Sequence, residues 1–368
     1  MMQTPAIMEK INQVIRPAVT AWMLPVVSLL LSIAPAEAQF TFTTNNGAIT
    51  ITGTYVTYGG HGIALTIPSS TNGYPVTGIG TGAFSLYNMT SLLVPDSVTN
   101  IGIGAFSGSS MTNISLGSGV LNIGPSAFSG CEGLRNILIP NNVKNLGSSA
   151  FVNCANLTNV ILGTGITSIS PNVFQNCTGL RTVTLPNGLI SIGEEAFQNS
   201  GLTRINIPDS VTNIDGWAFY NDASLTNVTI GSGVTNIGIS AFAGNTNAVS
   251  FYFKGGPPGL GGALVNVATI NYLPGATGWG TNFGGQPTLL WNPQAQTMDG
   301  LFGIRTNRFG FNITGTTNIS LAVEASTNLV AGGWTVLQTF TLTNGACYFS
   351  DPQWKTNGPA RYYRIRSP

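Results

Sequence analysis

Eight times in this chain an Ile or Leu is followed five residues later by a Phe. The pairs are Ile79/Phe84, Ile101/Phe106, Ile123/Phe128, Leu146/Phe151, Ile169/Phe174, Ile192/Phe197, Ile214/Phe219 and Ile237/Phe242, and the Phe-to-Phe spacings run 22, 22, 23, 23, 23, 22, 23. A period of about 20–29 residues with apolar anchors marks a solenoid, in which no unit buries its apolar face alone and each covers its neighbour. The expected fold is therefore mainly β, an array of about eight coils of 22–23 residues.

One coil can be read residue by residue over 134–151. Ile137 and Ile139 point inward from a short strand, Leu138 points outward, and Pro140 ends the strand. The pattern returns at Val160/Leu162, Val183/Leu185, Ile205/Ile207 and Val228/Ile230. A turn leads to a second short extended piece that buries Val143 and Leu146. Ser148-Ser149-Ala150-Phe151 then reads as one helical turn driving Phe151 into the core. The alternation of 22 and 23 falls after the Phe, where a loop absorbs it: five residues separate Phe106 from Met111 and six separate Phe128 from Leu134. A polar column, Asn100, Asn122, Asn145, Ser168, Ser191, Asn213 and Asn236, reads as a structural ladder bonding along the axis and to backbone groups left unpaired in turns. Cys131, Cys154 and Cys177 each lie three residues after a Phe. Stacking would place them about 5 Å apart, within disulfide reach by Cα distance, yet three cannot all pair. A column of small buried thiols accounts for all three, and Cys347 stands alone.

Around this array, residues 39–78 read as an N-terminal cap and 79–253 as the solenoid proper. In the cap, Thr41-Phe42-Thr43 and Ile49-Thr50-Ile51-Thr52 alternate about an Asn45-Asn46-Gly47 turn, a hairpin pattern. Ile63, Leu65 and Ile67 form a third strand stopped by Pro68. Residues 254–292 read as a closing segment: a flexible Gly/Pro break from Lys254, one further strand over 269–274, and Trp279, Phe283 and Trp291 to cover the open end. Residues 293–368 hold six short strands between turns and suggest a small β-sandwich-like module.

The phrase Val-x-x-Ile/Leu-Gly-x-x-Ala-Phe-x-x-Cys-x-x-Leu, as it stands from Val143 to Leu157, resembles the BspA-like leucine-rich repeats of bacterial surface and secreted proteins. Asn72 to Thr77 looks like that family's opening coil, and Tyr272-Leu-Pro-Gly with Gly278-Trp279 is similar to its closing segments. The resemblance implies a leucine-rich-repeat solenoid used for adhesion or protein binding, with no fixed ligand. The Cys is absent from the first two and last three coils, a departure that touches only the thiol column. The pattern from Ala325 through Trp334 to Tyr363 resembles C-terminal modules of exported bacterial proteins, for which attachment, sorting and carbohydrate contact are open roles.

Lys10 and Arg16, an uncharged and mostly apolar stretch over 18–34, and Ala36-Glu37-Ala38 fit an export signal over 1–38, with Gln39 as the first mature residue. An uncleaved anchor is the competing reading, but the stretch is short and Pro25 interrupts it. No later segment nears the ~20 uninterrupted apolar residues of a membrane helix, so no span is expected after cleavage. Only 7% of residues are charged and the net charge is +1, which excludes a polybasic nucleic-acid footprint. Catalysis needs converging titratable groups. The chain has 1 His, its acidic pair Glu194-Glu195 falls in the repeat's turn, and Asp96 and Asp209 read as turn formers. Neither an enzyme site nor a cofactor or metal site is expected.

The outward column of the strands remains: Leu93, Ser115, Leu138, Ile161, Thr184, Asn206 and Thr229, flanked by Arg135, Arg181 and Arg204. An exposed apolar pair, Leu138 and Ile161, ringed by Arg and amides suits a protein partner. The candidate binding face is therefore Arg135, Leu138, Ile161, Arg181, Thr184, Arg204 and Asn206. The expected function is an exported, non-catalytic interaction or adhesion protein, secreted or on the cell surface, with an extracellular protein or glycan as ligand. In the alternative, the solenoid is a spacer that presents the C-terminal module, which binds carbohydrate through Trp334, Trp354 or Tyr362.

Overall fold

The computed structural model describes residues 40–54, 62–247, 249–262, 264, 267–306, 308–328, 333–351, 353–355 and 360–366. The export segment expected over 1–38 and His61 lie outside these residues. Each Ile–Phe period closes one coil and contributes two strands. The first joins a run of parallel strands that includes Met89–Leu93, Asn136–Leu138, Asn159–Ile161, Thr182–Thr184, Arg204–Asn206, Asn227–Ile230 and Val249–Phe253. The second is a two-residue strand ending on the repeat's Ile or Leu, such as Asn122–Ile123 and Asn145–Leu146. Pairing is parallel and in register from coil to coil: Leu138 lies beside Ile161, Ile161 beside Thr184, and Ile192 beside Ile214. The apolar period thus becomes buried columns of Phe and of Ile or Leu along the stack.

The Phe column is the axis of the core. Phe84, Phe106, Phe128, Phe151, Phe174, Phe197, Phe219 and Phe242 are buried, and their rings stack nearly parallel, with centroids 5.0–5.6 Å apart and planes within 18°. Each such contact contributes roughly 0.5–1.5 kcal/mol beyond burial. Edge-on rings end the stack, Phe40 and Tyr87 against Phe84 and Phe251 against Phe242.

The helical turn expected before Phe151 is not formed, and no helix occurs among the described residues. The residues two before and two after each Phe adopt positive φ instead, as at Ser149 (58°) and Asn153 (61°) around Phe151. Asn, Ser and Gly fill most of these positions because they tolerate that conformation. The reason is a donor count. A helix would bond its amides internally. Here the amides of Ser149, Phe151 and Asn153 donate to Pro171, Val173 and Gln175 of the next coil, at 3.0, 2.9 and 2.9 Å. The Gly after the repeat Ile or Leu is fixed by crowding: a Cβ on Gly147 would lie 2.3 Å from the Pro125 nitrogen.

At the N-terminal end, Phe40–Asn45 and Ala48–Thr54 form the expected hairpin, with Asn46 and Gly47 at positive φ. Ala48–Thr54 then pairs with Tyr74–Ile79 and starts the sheet. At the other end, the expected flexible break after Lys254 is a structured coil, because Gly259–Leu260 pairs with Asn236–Ile237. Val267–Tyr272 and Gln286–Leu290 extend the first sheet by two more strands. Trp279 and Phe283 pack against Phe253 and cover the core as expected. Trp291 does otherwise: it meets Tyr252 edge-on and its Nε1 donates to the Ser320 carbonyl at 2.9 Å, tying the array to the C-terminal strands.

The C-terminal residues form two antiparallel sheets. One contains Gln294–Gln296, Gly303–Arg305, Arg308–Thr314 and Ala346–Ser350, the other Ser320–Ser326, Thr335–Thr341 and Tyr362–Arg366. Their inner faces enclose Phe311, Ile313, Ile319, Leu321, Val323, Leu342 and Phe349. Leu289 and Trp291 pack against the same cluster, so the module's core begins before residue 293.

Candidate binding face

Because strand side chains alternate, the central residue of each three-residue strand faces in and its neighbours face out. Ile137 and Val160 are buried, whereas Leu138 and Ile161 are 62% and 41% exposed. They are direct register neighbours, and Leu93, earlier in the same outward column, is 47% exposed. Thr184 and Asn206 are exposed next in the column. The column then closes: Thr229 is half-buried and Tyr252 is 2% exposed, because Trp291 and the C-terminal module cover it. Burial raises the Tyr252 phenol to about 12.

The three arginines take different roles. Arg181 bridges its own loop and the next coil, its Nη1 donating to the carbonyls of Thr178 and Gly201 at 3.0 and 2.9 Å. Its Nη1 is thus a brace, while the residue remains exposed. Arg135 is exposed and has no side-chain partner among the described residues. Arg204 pairs in register with Asn227, one position off the Arg135 and Arg181 positions, and stands at the edge of the module. The seven predicted residues therefore divide into the braced Arg181, an open stretch with Arg135, Leu138, Ile161 and Thr184, and a stretch beside the module with Arg204 and Asn206.

Polar residues elsewhere in the array hold coils together. In the predicted ladder, Asn145 Nδ2 donates to Asn122 Oδ1 at 2.6 Å, the Ser168 and Ser191 hydroxyls lie 2.8 Å apart, and Asn236 Nδ2 donates to Asn213 Oδ1 at 2.7 Å. A second ladder is not among those expected from the sequence. Asn153, Asn176, Asn199 and Asn221 bond in series at 2.6–2.9 Å, and all four have positive φ. Its signal is Asn two residues after Phe in four consecutive coils. Asp96 and Asp209 bond the next coil rather than their own turns, accepting from the amides of Ser118 and Ser232 at 2.6 and 3.0 Å. The Ser232 amide, and after it Lys254, hold Asp209 below the usual carboxylate range against partial burial. Glu195 accepts from Asn172 and Gln175 and is structural.

The cysteines follow the same logic. Cys131, Cys154 and Cys177 are free and buried, and each Sγ donates to the carbonyl of the preceding coil's Phe at 3.1–3.3 Å. Ser109 Oγ makes the same bond to Phe84 at 3.0 Å. Burial pushes Cys131 and Cys177 up to about 12 and Cys154 well above the thiol range.

In the module, Phe302, Phe309, Trp334, Trp354, Tyr362 and Tyr363 line a cleft of about 570 Å³. The three aromatics singled out from the sequence, Trp334, Trp354 and Tyr362, thus converge on one site. Trp354 Nε1 is buried without a partner, and the Arg364 guanidinium stacks 4.4 Å over Trp334. Among the described residues no three His, Cys, Asp or Glu side chains gather as metal ligands.

The coil stack and its two parallel sheets define a leucine-rich-repeat solenoid carrying a β-sandwich-like module. Residues 64–181 and 167–257 match the BspA type leucine rich repeat region in six copies, more than half of the chain. The chain belongs to the BspA-type leucine-rich repeat family. Among solved structures it is similar to a leucine rich cell surface protein from Faecalibacterium prausnitzii, at 29% identity and a TM-score of 0.48, covering 58% of this chain and 69% of that one. The pneumococcal vaccine antigen PcpA is 18% identical with a TM-score of 0.43, covering 64% of this chain and 79% of its own. A leucine rich repeat protein of T. pallidum is 28% identical with a TM-score of 0.35, over 45% and 88%. No curated protein matches.

Proposed function

We propose that this is an exported, non-catalytic interaction or adhesion protein that acts outside the cell and binds a protein through the open stretch of the first sheet. Family membership supports a role in interaction. The observation that carries the site is the adjacent, exposed Leu138–Ile161 pair beside the unpartnered Arg135, on a face that the protein itself covers further along. An apolar centre with an Arg and amide rim is how transient protein interfaces are built. The Asn and Ser ladders tie polar side chains of the array to neighbouring coils, whereas Arg135, Leu138 and Ile161 on this face stay exposed. No helix among the described residues is long and apolar enough to cross a membrane.

A second reading has its own support. The aromatic cleft of the module, with Trp334, Trp354 and Tyr362 converging and Trp354 Nε1 unsatisfied, is of the size and character of a sugar site. One experiment addresses both. The mature 39–368 protein, its Leu138→Asp/Ile161→Asp variant and its Trp354→Ala variant are passed over an immobilised panel of extracellular proteins and glycans. Loss of a protein ligand only in the double Asp variant supports the sheet face. Loss of a glycan only in the Trp354 variant transfers recognition to the module, and a double Asp variant that binds every ligand normally removes the sheet-face reading.

A further inference from the structure

The array and the module also meet across a polar cleft of about 350 Å³. The sheet face supplies Arg204, Asn206, Asn227 and Thr229, and the module supplies Glu324, Arg364 and Arg366. Glu324 lies directly opposite Arg364 in the antiparallel pairing, with Arg366 two residues along, so strand alternation sets all three on one side. The Glu324 carboxylate accepts from Arg364 Nε at 2.7 Å and Nη2 at 2.6 Å and from Arg366 Nε, and its side chain is only 4% exposed. Burial opposes its ionisation. The hydrogen bonds and charges of Arg366 and Arg364 outweigh that and hold the carboxyl below its ordinary range.

Arg364 and Arg366 are engaged by Glu324, and Arg204 brings the cleft a further positive charge. Arg204 has no hydrogen bond or ion pair among the described residues. The cleft is thus cationic and fixed in shape, because Glu324 orients the two module arginines as it pairs them. It also carries neutral recognition groups: the Asn206 amide, the Thr229 hydroxyl, and Asn227 Oδ1, which is buried without a donor. Guanidinium groups pair carboxylates in forked geometry, and amides with an unfilled acceptor suit ring hydroxyls. An acidic side chain of a protein partner would answer the charge but bring no hydroxyl to Asn227. The volume sits near the lower end of small-ligand sites, about 300–1,000 Å³, and holds one ring rather than a chain.

We propose that this cleft binds a carboxylate-bearing sugar, a uronic acid unit, between the repeat sheet and the C-terminal module. It is separate from the Leu138–Ile161 face, and the Leu138→Asp/Ile161→Asp variant is expected to bind the sugar normally. The test is calorimetric titration of the mature full chain at low salt with glucuronate, glucose and acetate. Arg204→Gln and Asn206→Asp act inside the cleft on exposed positions, and Arg135→Gln on the same face outside it. Glucuronate is expected to bind about tenfold or more tightly than either glucose or acetate, tenfold corresponding to about 1.4 kcal/mol. Arg204→Gln and Asn206→Asp are each expected to lose that margin, and Arg135→Gln to keep it. Equal binding of acetate and glucuronate would reveal an unselective anion site and overturn the proposal. So would undiminished binding in both cleft variants, or an Asp-containing peptide that binds more tightly than the sugar.

Discussion

The array and the module use buried polarity in opposite ways. In seven of the array's eight coils, the position three residues after Phe is filled by Ser109, Cys131, Cys154, Cys177, Ser200, Asp222 and Asn245, all buried; the first coil has the half-buried Tyr87 there. Most of them are neutral, and Ser109 and the three cysteines bond to a neighbouring coil's carbonyl. The module instead buries two carboxylates and pairs them. Glu324 has Arg364 and Arg366, while Asp351 has Arg361 at 3.0 Å and the Tyr363 hydroxyl at 2.8 Å. A coil has a backbone carbonyl waiting 25 or 26 residues back, so a small donor suffices. The sandwich offers no such repeating carbonyl, and its buried polar groups pair with one another. The difference teaches where to look for chemistry: in the array, at the departures from a column; in the module, at the pairs.

The largest expected effect breaks the column itself. Phe151 stacks 5.2 Å from Phe128 and 5.6 Å from Phe174 and is fully buried. Phe151→Ala removes both ring contacts and leaves a cavity that neighbouring coils cannot fill without losing register. A loss of about 3–5 kcal/mol is expected in urea unfolding. Coils in a solenoid touch only their neighbours, so proteolysis of the variant should begin near this coil while the module stays intact. Simultaneous loss of both would show that array and module unfold as one unit.

How far the sequence carries follows from the same contrast. The Phe and Ile columns, the outward Leu138–Ile161 pair and the Asn ladder are legible because each residue is checked by copies in other coils. The turn around Phe reads as helical because its motif is compatible with one helical turn. What decides against a helix is the forward bonding of amides such as that of Phe151 to Val173, a fact about the neighbouring coil. The Glu324–Arg364–Arg366 group is not legible, because strand pairing within the module joins residues 40 and 42 apart with no repeat to announce it. Burial of Tyr252 under Trp291, which divides the candidate face, depends on how the module docks and has no local sequence signal.

Asp222 is the array's departure toward the module's habit, and a variant can reverse it. Its carboxyl is fully buried; one oxygen accepts from the Ser200 amide at 2.6 Å and the other has no partner. Burial pushes it up to about 8, against the opposing bonds from Ser200. A carboxyl raised on folding is protonated in the folded chain and ionised in the unfolded one between about pH 4 and 8. Its contribution is therefore present in acid and lost as pH rises, at up to about 1.4 kcal/mol per pH unit. Glu324, held low, works the other way, and its contribution is lost as pH falls. Asp222→Asn keeps an acceptor for Ser200 and cannot ionise, and the next coil already places Asn245 there. The variant is expected to melt close to the parent at pH 5 and a few degrees above it at pH 9. A constant difference across that range would show that Asp222 does not carry the pH dependence.

The smallest effect sharpens the column's rule, that it selects a small donor and not a thiol. Cys154 Sγ donates to the Phe128 carbonyl at 3.1 Å, where a coil earlier in the array uses Ser109 Oγ at 3.0 Å to Phe84. Cys154→Ser preserves the bond and loses some apolar contact, so a cost within about 1 kcal/mol is expected. Cys154→Val fills the space but removes one of that carbonyl's two donors, the Cys131 amide remaining at 3.3 Å, and should cost more than Ser, about 0.5–1.5 kcal/mol. The native thiols provide an independent reading. With Cys131, Cys154 and Cys177 buried and raised so far, only the half-buried Cys347 is expected to react with a thiol reagent at pH 8, and all four after denaturation. Rapid native labelling of two or more would mean that the coils open under those conditions. If Val were tolerated better than Ser, apolar volume rather than the donor would govern the column, and its likeness to the Ser109 coil would be coincidental.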